Sequence, residues 1–376
     1  MGKNILIFYI SRFSGHYHAA RSISKAINIK APDARVRKIN TFEYTNPILG
    51  RLINRAYMEV IKKKPEIWGN MYDNPEVLQR IKKARSALHK VNSIKMKKLL
   101  DGFSPDSVVC TQAFPCGLIA DFKRNTGSNI ELTGVLTDHA PHSYWLFDEV
   151  DNYVVPSGET ADELVRKGVD PLRVHEMGVP IDPKFAFKHD KTLLLKAIGF
   201  DESSPVILLM GGNQGLGAME EVLKTLIIKG QDRRYQLIIV TGANKRLYFR
   251  LQKMVSSAEC DNVLILPYVD NIDELMEISD LIVTKAGGIT TAESLAKGLP
   301  MILVNPIPGQ ERMNADYLEK KGLAIEIKDI ERIPGKLKDL LEERDELTEM
   351  KKRIEEEAKP LSAIHIAELV LGTSAG

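Results

Sequence analysis

The chain has 376 residues, 44% of them hydrophobic and 27% charged, with a formal net charge of +2; at ~150 residues per domain this suggests about two or three domains. That balance excludes a disordered or fibrous chain, and no uninterrupted run of about 18 apolar residues is present to span a membrane. The small net charge hides an asymmetry, since residues 1–100 hold 21 Lys+Arg against 6 Asp+Glu and the rest hold 31 against 44, which points to an anionic partner for the first part.

At the N-terminus, Met1-Gly2-Lys3 leads into a short apolar strand rather than a signal peptide, and Leu6 stands where a myristoylation signal needs Ser or Thr. Strand and helix then alternate to the end, the pattern of an α/β protein with parallel sheets. The first series predicts strands at Lys3–Ile10, Ala34–Ile39, Ser107–Cys110, Glu131–Leu136 and Asn152–Val155, with a helix over Gly15–Ile29. The second series predicts strands at Pro205–Met210, Gln236–Val240, Val263–Leu266, Leu281–Val283, Met301–Val304 and Ala324–Ile327. The two series are separated by Gly178–His189, so the expected domains are 1–178 and 179–360, both doubly wound and facing a cleft. The last helix, Leu361–Leu371, is expected to cross back, adding 361–376 to the first domain. Three cysteines (Cys110, Cys116 and Cys260) without metal-ligand spacing predict a reducing, cytoplasmic setting.

Between the second and third strands lies a helical insertion of about residues 46–100. Ile48, Leu49, Leu52, Ile53, Ala56 and Val60 form one apolar stripe at helical spacing. Arg51, Arg55 and Lys62 flank it, and Trp68 follows. An apolar stripe bordered by basic residues and a Trp has the composition of a membrane-interface helix, and each basic residue near anionic lipid contributes on the order of 1 kcal/mol. The competing reading is a helix packed on its own sheet.

The strongest chemical signal is Lys285-Ala286-Gly287-Gly288-Ile289-Thr290-Thr291-Ala292-Glu293, which follows a strand and opens a helix. Glycines let the backbone approach a ligand, and free N–H groups at a helix start suit a phosphate. Glu293 lies further along, where a carboxylate can accept from ribose hydroxyls. After the next strand comes Asn305-Pro306-Ile307-Pro308-Gly309-Gln310-Glu311, presenting Gln310 and Glu311 as partners for sugar hydroxyls, with Asn314 on the next helix. Gly211-Gly212-Asn213-Gln214-Gly215-Leu216-Gly217 is a second loop suited to diphosphate oxygens, with Gly212, Asn213 and Gly215 as its candidate ligands. In the first half, Ser14-Gly15-His16 follows the first strand, and a His at a helix start is held neutral and ready to take a proton.

In this order, Gly15-His16-x-x-Ala19, Thr137-Asp138 with His142-x-x-Trp145, the loop 211–217, Lys285-Ala286-Gly287-Gly288 and Pro308-Gly309-Gln310-Glu311-x-x-Asn314 resemble the monogalactosyldiacylglycerol synthases. They also resemble the related processive diacylglycerol glucosyltransferases of glycosyltransferase family 28. The stretch from Asn46-Pro47 to Lys64-Pro65-x-x-Trp68-Gly69-x-x-Tyr72 is similar to that family's acceptor-side insertion. One departure is that Arg12-Phe13-Ser14 precede Gly15, where the synthases usually carry further glycines.

The resemblance implies a GT-B fold of two Rossmann-like domains, an acceptor bound by the first and a UDP-sugar by the second. It implies inversion at the anomeric carbon, no obligatory metal and no cofactor, the UDP-sugar being a substrate. The expected partners are UDP-galactose or UDP-glucose, diacylglycerol and an anionic membrane surface, with the protein peripheral on the cytoplasmic face and no nucleic acid involved. His16 is the first candidate for the base, with Asp138 orienting or assisting it and His142 as a further candidate. Arg51, Arg55, Lys62, Trp68 and Trp145 are the acceptor or membrane candidates. Competing readings are a UDP-N-acetylglucosamine 2-epimerase or a peptidoglycan-type N-acetylglucosaminyltransferase of the same fold, a hydrolase with metal on His16, His18, Asp138, His139 and His142, and a noncatalytic lipid-binding protein.

Overall fold

The computed structural model describes residues 2–12, 14–47, 95–141, 143–229, 235–258 and 260–373. His142 lies outside the described residues. So does most of the basic insertion, with Arg51, Arg55, Lys62 and Trp68. The chain forms two compact units, one of Met1–Pro183, Ile307–Met313 and Leu361–Gly376, the other of Lys184–Pro306 and Asn314–Pro360.

In the first unit six parallel strands run in the order β2-β1-β3-β4-β5-β6. They are β1 (Asn4–Tyr9), β2 (Arg35–Asn40), β3 (Ser107–Cys110), β4 (Glu131–Val135), β5 (Asn152–Val155) and β6 (Val174–Glu176). Side chains alternate between the faces of a strand. Ile5, Ile7 and Tyr9 therefore join Val109, Val135 and Val154 on one face, where α1 (Gly15–Lys30) and the C-terminal helix Ser362–Leu371 pack. Leu6 and Phe8 join Val108, Leu132 and Tyr153 on the other, where α2 (Ala113–Thr126) packs. Strands buried on both faces read as nearly continuous apolar runs, which is what made most of them visible in the sequence. The short β6 is partly exposed and escaped the reading. Gln112 Oε1 accepts from the Phe114 N–H at 2.7 Å to start α2, and Gly127, with φ of +66°, ends it.

The helical stretch 95–103, at the end of the insertion, buries Met96, Leu99 and Leu100 in the same core. Two of its three lysines are engaged locally. Lys95 Nζ donates to the Thr45 carbonyl at 2.8 Å, and Lys97 pairs with Asp101 at 2.6 Å.

The C-terminal helix places Ala363, Ile366, Ala367 and Val370 on one stripe, the i, i+3, i+4, i+7 spacing of a buried helical face. Its N-terminus is fastened by Ser362, whose Oγ donates to the Val179 carbonyl at 2.8 Å and accepts from the Ile181 N–H at 3.3 Å. Near its other end Lys3 Nζ donates to the Val370 carbonyl at 3.1 Å.

The second unit is a separate parallel sheet of order β12-β11-β10-β7-β8-β9. Its strands are β7 (Val206–Met210), β8 (Gln236–Val240), β9 (Val263–Leu266), β10 (Leu281–Thr284), β11 (Met301–Val304) and β12 (Ala324–Ile327). Ile207, Leu209, Leu237, Ile239, Leu281, Val283, Ile302 and Val304 form one face of its core. Two helices matter for the site, α3 (Gly288–Ala296) after β10 and α4 (Gln310–Lys320) after β11. The two doubly wound units are those of the GT-B fold. Among the described residues no helix is long and apolar enough to cross a membrane.

The buried stripe of the C-terminal helix gives a direct test. Ile366→Ala, at a fully buried position, is expected to cost about 2–5 kcal/mol, whereas Ile29→Ala at a site 55% exposed should stay within roughly 0.5 kcal/mol. Urea midpoints of the two variants measure the contrast.

Candidate active site

In the first unit, the ends of three adjacent strands deliver one cluster. The turn after β1 is bent by Ser11, whose φ of +61° is uncommon for a residue with a side chain. Ser14 Oγ donates back to the Ile10 and Ser11 carbonyls at 2.6 and 2.8 Å, leaving the start of α1 without a side-chain cap. At the end of β3, Thr111 Oγ1 donates to the His16 carbonyl at 2.9 Å, which fixes the His16 backbone against its neighbouring strand. Just after β4 come Thr137 and Asp138. Thr137 Oγ1 lies 3.3 Å from His16 Nδ1 and donates to Asp138 Oδ2 at 3.2 Å.

Gln310, in the segment grouped with the first unit, donates from Nε2 to the same Asp138 oxygen at 3.2 Å. His16, Thr137, Asp138, Trp145 and Gln310 line a small pocket, with space for about one water-sized group at its centre. Trp145 is 5% exposed, so its indole is an inner wall of this pocket and not a surface group. Beneath it, a Cβ at Gly134 would come within 3.4 Å of the indole.

Burial holds the His16 imidazole below its usual range, against the opposing pull of the Asp138 carboxylate. Burial first, and the Arg21 cation second, do the same to His18, whose Nε2 is buried without a hydrogen-bond partner. His139 turns elsewhere, with Nδ1 3.3 Å from Ser157 Oγ. Among the described residues no three His, Cys, Asp or Glu side chains converge as a metal site.

The second unit brings its own glycine loops together. Gly212, Gly215 and Gly217 in the turn after β7 have φ of +67°, +53° and +91°, a region open to glycine at no steric cost. A Cβ at Gly215 would also sit 2.1 Å from the Thr241 carbonyl oxygen, so the loops after β7 and β8 touch backbone to backbone. A Cβ at Gly212 would instead meet Lys285 Cε at 3.6 Å and Thr290 Oγ1 at 3.8 Å, and one at Gly287 would meet Lys285 Nζ at 3.1 Å. The Lys285 ammonium thus lies beside the glycine pair that opens α3, next to the loop after β7.

Gly287 caps α3 with no side-chain hydrogen bond, leaving the first N–H groups, from Gly288 and Ile289 onward, for an anion. Asn213 is half-buried in the loop after β7, and Glu293 is half-buried in the second turn of α3. Lys285, Thr290 and Gln214, whose Nε2 is buried without a partner, were given no role by the sequence. A Lys at the end of a strand, just ahead of a Gly-Gly helix start, was the available signal for the first.

Two residues expected at a sugar have structural partners. Glu311 Oε2 accepts from the Ile307 N–H at 3.1 Å, closing the loop after β11 on itself. Asn314 is fully buried and donates from Nδ2 to the Ala286 carbonyl at 3.1 Å, bracing the turn before α3. Asn305, at the head of the first of these loops, has φ of +45°. With Ser11, it puts two of the three left-handed non-glycine residues among the described ones in turns flanking candidate site residues, where such strain commonly gathers.

Comparison with known proteins agrees with both halves. The family profile described as Monogalactosyldiacylglycerol (MGDG) synthase matches residues 16–181, and that described as Glycosyltransferase family 28 C-terminal domain matches residues 206–366. A processive diacylglycerol beta-glucosyltransferase of Bacillus subtilis (strain 168) is 29% identical over 373 residues, covering 98% of this chain and 94% of the relative. Among solved structures, MurG of Acinetobacter baumannii superposes with a TM-score of 0.62 at 14% identity, covering 98% of this chain and 99% of its own. A UDP-GlcNAc 2-epimerase of Neisseria meningitidis bound to UDP-GlcNAc gives 0.63 at 13%, covering 98% and 100%. At such identities these structures share the fold.

The His16 environment is directly measurable. An NMR titration should give an imidazole midpoint below the model-peptide value of about 6.5, and Asp138→Asn should move it lower still, because the carboxylate favours the imidazolium. A midpoint above 6.5 would show that the charge, not the burial, dominates.

Proposed function

Because the chain belongs to the monogalactosyldiacylglycerol synthase and processive diacylglycerol glucosyltransferase family of glycosyltransferase family 28, we propose that it moves a hexose from a UDP-sugar to the free hydroxyl of diacylglycerol or a related membrane lipid. The observation that carries this reading is the His16 imidazole, held neutral by burial and lining a small pocket with Asp138. A neutral imidazole accepts a proton, and general-base help of this kind supplies typically 10²–10⁴-fold.

The chemistry proceeds with inversion. The lipid O–H bond breaks with its proton passing to His16. The oxygen forms a bond to the anomeric carbon from the face opposite UDP, and the bond from that carbon to the diphosphate breaks with its electron pair leaving on UDP. In the second unit, the N–H groups opening α3, the Lys285 ammonium and the loop after β7 carry the positive potential that the leaving diphosphate needs. The name of the Bacillus relative favours glucose as the donated sugar, and that of the matching family profile favours galactose.

Diacylglycerol in anionic vesicles, offered UDP-glucose and UDP-galactose in separate reactions, tests the proposal by UDP release and thin-layer chromatography of the lipids. A new glycolipid is the expected product and identifies the sugar. Sugar conversion or UDP release without a lipid product would replace the proposal with an epimerase acting on the same nucleotide.

Two variants address the two units separately. His16→Ala should lower kcat by about 10²–10⁴-fold with the KM for UDP-sugar little changed. Gly215→Ala, which drives a Cβ into the Thr241 carbonyl, should act chiefly on that KM.

A further inference from the structure

The arrangement of hydrogens in the first-unit cluster is over-determined. A Thr hydroxyl has one proton to give, and a carboxylate can only accept. Thr137 Oγ1 lies 3.2 Å from Asp138 Oδ2 and 3.3 Å from His16 Nδ1. With the hydroxyl proton directed to the carboxylate, the Thr137 oxygen presents a lone pair to His16. Nδ1 must then carry the imidazole proton for that contact to be attractive. The reverse assignment would place a bare hydroxyl oxygen against a carboxylate oxygen.

Two further contacts keep the chain of atoms in line. Gln310 Nε2 donates to the same Asp138 oxygen at 3.2 Å, and Thr111 Oγ1 holds the His16 carbonyl at 2.9 Å. Asp138 is the charged group that acts on His16, and its effect favours the imidazolium.

We propose that Thr137 is a positioning residue, which passes the orientation of Asp138 to His16 and locks the neutral imidazole with its proton on Nδ1, so that Nε2 is the atom that takes the proton from the acceptor hydroxyl. This deepens the general-base reading of His16 and rests on it. During transfer the acceptor proton arrives at Nε2, the imidazolium keeps its Nδ1–H bond to Thr137, and the Thr137 proton stays on its own oxygen, directed at Asp138. The carboxylate thereby stabilises the new positive charge through a hydroxyl without itself being protonated. Removing the hydroxyl leaves Nδ1 without this acceptor and frees the ring to take the other tautomer, in which no lone pair remains at Nε2.

The test pairs Thr137→Val, close in shape, with Thr137→Ser, which restores the hydroxyl. In the ¹⁵N-labelled wild-type protein, ¹⁵N–¹H correlation of the neutral His16 ring should show a protonated Nδ1 and a bare Nε2. Thr137→Val should lose that pattern and lower kcat by about 10²-fold, as wrong-tautomer variants of histidine bases do or exceed, with an unchanged KM for UDP-sugar. Thr137→Ser should recover both the ring pattern and most of the rate. A wild-type ring protonated on Nε2, or a Thr137→Val protein that keeps its proton on Nδ1, overturns the proposal. If Thr137→Val does not fold, the wild-type ring pattern and the rate of Thr137→Ser decide it, and a Ser variant as slow as His16→Ala counts against it. A tautomer that switches in Thr137→Val while kcat stays constant upholds the positioning but overturns His16 as the base.

Discussion

Parallel pairing is the constraint from which the rest follows. When every strand of a sheet points the same way, every strand ends at the same edge, and each turn there leads into the N-terminus of a helix. In the first unit β1, β3 and β4 are neighbours. His16, Thr111 and Thr137 follow their three ends and hydrogen-bond to one another although up to 121 residues separate them. In the second, β11, β10, β7 and β8 are neighbours. The residues beyond their ends, Asn305, Lys285, Gly212 and Gly242, belong to the four turns that the glycine contacts and the buried Asn314 knit together.

The two units use that edge with opposite electrostatics. The first gathers neutral and anionic groups (a desolvated imidazole, a Thr hydroxyl and a carboxylate) around one small pocket. The second gathers the backbone N–H groups that open α3 and the Lys285 ammonium beside its glycine loops. These are the charges the proposed transfer calls for, an acceptor for a proton in one unit and a cradle for a diphosphate in the other.

Much of this architecture was legible because a strand buried on both faces has to be an apolar run, as Val206–Met210 and Gln236–Val240 are. The glycine turns were legible for a related reason. Where φ is positive and a carbonyl sits 2.1 Å from the Cβ position, as at Gly215, the residue type is forced and so leaves a trace. Val174–Glu176 left none, since a three-residue edge strand with an exposed Glu has no period to detect. Side-chain partnerships were also hidden. Glu311 and Asn314 are sugar-ligand candidates in a motif, and the fold adds to each a partner that the motif does not display, the Ile307 N–H for one and the Ala286 carbonyl for the other. Which role a polar side chain takes depends on the backbone groups left over nearby, and those are fixed by the fold rather than by the neighbours in sequence.

The return of the C-terminal helix has a consequence for synthesis. Ala363, Ile366, Ala367 and Val370 complete the face formed by Ile5, Ile7, Ala20, Ile23 and Ile27, yet they are made only after all of the second unit has been translated. On the ribosome, the first unit therefore spends the elongation of nearly two hundred residues with an apolar strip open to solvent, a period in which it depends on its own partial collapse or on chaperones to avoid association. The second unit has all six strands of its sheet between Val206 and Ile327, so its sheet can form while the first unit waits. A message truncated before Ser362 thus yields a first unit lacking the cover of its oldest core.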